Sequence, residues 1–146
     1  MRLERGENYR TLQIVKGFPP NISTIRQYLI PPPDAVFAYG AIIYNPTNKD
    51  IPPDVYEHEK KHMEQMQGWQ PDAWWTKYCL DIFFRQQQEI SAFCAQLIWV
   101  KNNWGSKAFK FCLEECATNL SSNYGLDLNY NKAFTLLRHR TRSMII

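Results

Sequence analysis

The chain has 146 residues, 45% hydrophobic and 21% charged, which suffices for one domain with a real core and leaves little room for two. Collagen-like and disordered chains are excluded, and a 14% aromatic share, with tryptophans at 69, 74, 75, 99 and 104, requires a dense interior. Seventeen Lys and Arg against fourteen Asp and Glu leave a net charge of +3, too mild and dispersed to argue for a nucleic-acid partner. The locally basic Arg138, His139, Arg140 and Arg142 suit a solvated helix C-terminus.

The opening MRLERGENYRTLQIVKGF alternates charged with apolar residues and lacks the apolar stretch of a signal peptide or anchor. No later run has membrane-spanning length, so no membrane partner is expected. Cys79, Cys94, Cys112 and Cys116 form no CxxC pair, which predicts reduced core thiols and a cytoplasmic location. All nine prolines lie between Pro19 and Pro71. Within that half, β-leaning runs at 9–16, 22–30 and 35–44, separated by proline-rich turns, predict a small sheet of about three strands. After Pro53 the periodicity becomes helical, with four or five segments near 54–67, 71–84, 86–103, 106–120 and 129–140. Asp54 is placed to cap the first, Gly68 to end it and Pro71 to begin the second. The fold expected is a single α+β domain over 1–146, β-rich at 9–44 and helical at 54–140.

The informative stretch is Glu57-His58-Glu59-Lys60-Lys61-His62, which contains HExxH. On a helix the i, i+4 spacing puts both imidazoles on one face, where both can turn a ring nitrogen to one metal ion. Glu59 follows the first histidine and reaches the open side of such an ion, where a general base for an activated water belongs. With three histidines and eight glutamates in the chain, chance accounts poorly for the pattern. Glu57, Lys60, Lys61, Glu64 and Gln67 supply the helix's solvent face, while Val55, His58, His62, Gln65 and Trp69 form a separate stripe. Histidines on a buried stripe need satisfying partners, and a metal satisfies both.

A catalytic zinc takes three protein ligands and keeps one position for water. His139 sits among arginines, a poor setting for a cation. Glu89 borders the apolar face of its helix, and Ser91, Ala92 and Ala95 allow close approach of the first helix. It is the expected third ligand. Gln65, one turn after His62, is a candidate to orient a ligand or contact substrate, or is a core amide. Tyr124, beside Gly125 in a helix-breaking turn, is a candidate donor to an oxyanion or a packing ring. Trp74 and Trp75 read as core.

His58 to Gln65 followed by Glu89-Ile90-Ser91-Ala92-Phe93 resembles the gluzincin pattern, HExxH with a downstream glutamate ligand. More narrowly, HExxHxxQ joined to Trp74-Trp75-Thr76-Lys77-Tyr78, Gln88-Glu89 and Leu120-Ser121-Ser122-Asn123-Tyr124-Gly125 resembles small metallopeptidases encoded in tailed-phage genomes. The resemblance spans roughly 53–126. It implies a minimal zincin-like fold, a Zn²⁺ held by His58, His62 and Glu89, and hydrolysis of a peptide or protein with Glu59 as base. Other phage proteins as partners, and a location in the host cytoplasm or on the virion, follow from the same resemblance. The chain departs from the broader pattern at Phe93, where an aspartate would orient a zinc-binding histidine. Asp81 or a backbone carbonyl are the alternatives. The segment 35–44 is expected to flank the cleft and pair with an extended peptide. The other reading is a virion or assembly protein whose zinc is structural or vestigial.

Overall fold

The computed structural model describes residues 13–144. Its elements in chain order are β1 (Gln13–Val15), α1 (Ile22–Tyr28), β2 (Phe37–Tyr39), β3 (Ile42–Tyr44), α2 (Pro53–Gln65), α3 (Pro71–Leu80), α4 (Ile82–Trp104), α5 (Ser106–Ser122) and α6 (Tyr130–Met144). The result is the expected α+β arrangement, a small sheet followed by helices. The strand order is β1-β3-β2, with β1 parallel and β2 antiparallel to β3.

The three strands differ from the three expected runs. Residues 9–12 of the first run lie outside the described part. The second run is the helix α1, because its apolar residues recur at Ile22, Ile25 and Leu29 rather than at alternate positions, and only a helix buries Ile25 while exposing Arg26 and Gln27. Its β-branched residues misdirect a propensity reading. The third run supplies two strands, since Gly40 at φ 62° opens a two-residue hairpin between Tyr39 and Ile42. Pro71 Cγ lies 3.3 Å from where a Cβ on Gly40 would stand.

Five helices follow Pro53. Pro52 and Pro53 start α2, Pro at its first turn being compatible with the missing N–H. Asp54 is not its cap. It lies on the buried side, where its Oδ2 accepts from Gln96 Nε2 at 2.9 Å. The α2 helix ends at Gln65, three residues before Gly68, whose φ is 84°. Asp81 separates α3 from α4 and caps the latter, its Oδ1 accepting from Phe84 N at 3.0 Å. A reading of 71–84 as one helix overruns this break, since neither glycine nor proline marks it.

Two apolar clusters fill the interior. The first gathers Ile25, Phe37, Ile43, Tyr56, Met63, Trp74, Trp75 and Tyr78 between the sheet and α1 to α3. The second gathers Ile90, Phe93, Leu97, Leu113, Leu120 and Leu137 among α4, α5 and α6. Burial of each such side chain contributes about 1.5–3 kcal/mol. The α2 helix packs along α4, and the polar residues between them form the candidate site.

Candidate metal centre

His58 and His62 leave α2 one turn apart, their ring centroids 4.9 Å from each other and their planes 80° apart. Glu89, on α4, meets both: Oε1 is 3.1 Å from His58 Nε2 and Oε2 is 3.2 Å from His62 Nε2. All three residues are buried, Glu89 to 2% exposure, and their donor atoms lie within 4.8 Å of one another. This group could hold a metal ion. It is the one such cluster found among the described residues.

The far side of each imidazole is fixed by an amide. His58 Nδ1 donates to Gln96 Oε1 at 3.2 Å, and Gln96 donates onward to Asp54. His62 Nδ1 donates to Gln65 Oε1 at 2.8 Å, and Gln65 Nε2 donates to the Gln88 carbonyl at 3.0 Å. Each amide nitrogen must face its acceptor, so each amide oxygen faces a ring nitrogen. The Nδ1 atoms therefore carry protons and the Nε2 atoms converge on Glu89, which makes Nε2 the atom each ring can offer a metal. Gln96 stands one turn after Phe93, whose ring instead packs edge-on against His58 with centroids 4.5 Å apart. Asp81 caps α4 and takes no part in holding the histidines. Gln65 was a candidate to orient a ligand, but Gln96 was not foreseen, although Glu89, Phe93, Gln96 and Val100 fall on one helical face and a glutamine within such a stripe signals a buried polar role.

Burial opposes the charged form of His62, but the Glu89 carboxylate outweighs it and pushes the imidazole up to about 9. Burial likewise works against ionised Glu89, yet the His62 charge and hydrogen bonds from both histidines hold its carboxyl well below the usual range. Tyr78, on α3, donates its hydroxyl to Glu89 Oε2. The tyrosine of Trp-Trp-x-x-Tyr is thus a supporting residue of the site. Trp74 and Trp75 are buried, and Trp74 lies against His62 with ring centroids 5.6 Å apart.

Glu59 is buried, with Oε2 4.0 Å from His58 Nε2. Burial raises its pKa against the opposing pull of His58 and His62. Tyr124 is half-buried and packs on Phe93 at 5.8 Å between centroids. Burial, reinforced by the nearby carboxylates, lifts its phenol well above 10, so it remains a donor. Both residues line, with the three donors, a cavity of about 340 Å³. Arg85 secures the rim. Its Nε donates to the Tyr124 carbonyl at 2.8 Å, Nη1 to the Tyr78 and Cys79 carbonyls at 2.8 and 3.1 Å, and Nη2 to the Gly125 carbonyl at 3.3 Å. A second hollow, of about 990 Å³, runs past Gly40, Lys61, Met66 and Trp69 and takes in Gln65 but none of the donors.

His139 is exposed on α6 and outside the cluster. Cys79, Cys94 and Cys116 are buried, Cys112 is half-buried, and all four are free. No described helix is long and apolar enough to cross a membrane. Comparison of the chain with known protein families, curated proteins and solved structures found no match.

Proposed function

We propose that the protein is a small zinc-dependent peptidase in which His58, His62 and Glu89 hold the ion. The observation that carries this reading is the convergence of two Nε2 atoms and a buried carboxylate beside an uncoordinated carboxyl, Glu59. Two imidazoles and one carboxylate match the donor set of catalytic zinc, and three protein donors leave a position for water. Zinc, when bound, supplies a Lewis acid that polarises a carbonyl and acidifies water. Glu59 takes the proton of the attacking water and passes it to the leaving amine. Tyr124, protonated and on the wall of the same cavity, donates to the oxygen that gains charge. Gln65 acts as a positioning residue for His62, both ends of its amide being engaged.

The test is hydrolysis of an unbiased peptide library by wild type and Glu59→Gln at equal zinc content. Wild type cleaves, and the nearly isosteric variant loses about 10²–10⁴-fold or more. Equal cleavage by both marks a contaminant. No cleavage by either returns the site to a structural zinc of a virion or assembly protein, the non-catalytic alternative.

A further inference from the structure

We infer that the cavity takes the C-terminal end of a peptide, one or two residues beyond the scissile bond, with the free α-carboxylate of the substrate paired to Lys49 Nζ. The inference rests on the peptidase reading and names its substrate class.

Three observations lead there. The first is that the sheet edge is closed. β2 is an edge strand, the one an extended peptide would join, but alternate residues of an antiparallel pair turn their N–H and C=O groups outward, so three residues offer only the middle one. That residue, Ala38, is 1% exposed, and its carbonyl already accepts from Trp75 Nε1 at 2.9 Å. The expected pairing of segment 35–44 with an extended substrate is thus blocked by α3.

The second is size. At about 340 Å³ the cavity is near the lower end of the ~300–1,000 Å³ range of ligand pockets. Ile25 of α1 and Leu29 just after it, with Pro31 and Pro32, line it together with the donors. The helix in place of the expected strand at 22–30 is what brings Ile25 to this cavity. The walls suit a short, apolar end of a chain better than its middle.

The third is charge. Lys49 is the single Lys or Arg lining the cavity. Its backbone is tethered, since Asn45 Nδ2 donates to the Lys49 carbonyl at 2.7 Å and Asn48 adopts φ 54° in the same turn. Its Nζ meets Asp34 Oδ2 at 3.4 Å, but the Asp34 side chain is 70% exposed, and a solvated pair of this kind is weak enough for a substrate carboxylate to compete. Lys49 and Glu59 line the same cavity, so base and cation act on the same space. In the reaction the water oxygen bonds to the carbonyl carbon, the C–N bond breaks and the leaving nitrogen takes the proton from Glu59. The released amino acid or dipeptide keeps its own carboxylate.

The experiment compares N-acetyl-Gly-Gly-Phe with its C-terminal amide on the zinc-loaded full chain. Cleavage is read by mass spectrometry with wild type, and binding by calorimetry with Glu59→Gln. Expected are cleavage and binding favouring the acid by about tenfold, the worth of one charge-assisted contact. Lys49→Met, at equal zinc content, abolishes the preference and Lys49→Arg restores it. Equal handling of acid and amide, or a preference that survives Lys49→Met, overturns the carboxylate site while leaving the peptidase standing. Lys49-dependent binding without cleavage supports the carboxylate site and overturns the peptidase. Neither binding nor cleavage overturns both.

Discussion

Gln96 and His58 are joined by a hydrogen bond of 3.2 Å from Nδ1 to Oε1, and the same glutamine donates to Asp54 at 2.9 Å. A neutral amide, steadied by a carboxylate one residue further out, thus orients the first histidine. Gln96→Leu leaves both His58 Nδ1 and Asp54 without a partner. Competition with a chromogenic chelator should show zinc affinity reduced about 10–100-fold, the usual effect of removing such support.

Zinc retention divides the donors. His58→Ala or His62→Ala should abolish it, whereas Glu89→Ala weakens it because two imidazoles remain. Elemental analysis of protein purified without chelator checks both, with close to one zinc per chain in wild type. Retention untouched by Glu89→Ala would remove Glu89 from the ligand set.

Zinc uptake should also release protons at neutral pH. In the metal-free chain His62 is raised from 6.5 to about 9, so at pH 7 it is protonated and must lose that proton to bind. Affinity then rises with pH towards 9. Calorimetry in two buffers of different ionisation enthalpy measures the proton released. The sign for metal-free folding is opposite: a folded pKa above the unfolded value stabilises fully below pH 6.5, and this contribution is lost as pH rises through about 9.

Thiol reactivity follows burial. Burial pushes Cys94 up to about 11 and Cys116 higher still, and raises Cys79 and Cys112 less. A disulfide reagent at pH 8 should modify half-buried Cys112 first and the other three at the rate of unfolding, while denatured protein reacts at all four. Cys112→Ser should remove the fast phase.

Arg85 is buried against four carbonyls and no carboxylate. Replacement by Met leaves the last carbonyls of α3 and the 124–125 turn without a donor. The expected loss is about 3–5 kcal/mol, read as a lower urea midpoint.

HExxH was legible because two histidines and a glutamate at fixed spacing leave a mark in the chain itself, and Glu89 because it stands beside an apolar stripe. The helix at Ile22–Tyr28 was not, since its β-branched residues favour a strand and only packing of Ile25 decides otherwise. Asp54 looks like a cap from its place at a helix start. Its partner, Gln96, is 42 residues away, and no local pattern announces a contact of that range. Closure of the β2 edge by Trp75 is hidden for the same reason.

The triad also straddles the boundary between the two apolar clusters, its histidines on α2 and its glutamate on α4. The free energy of binding a metal there would therefore be added to any opening that separates these helices. Amide hydrogen exchange near that boundary should slow with metal loading, while the outer turns of α6 exchange alike in both states. An ion held there would set how far the two helices can part.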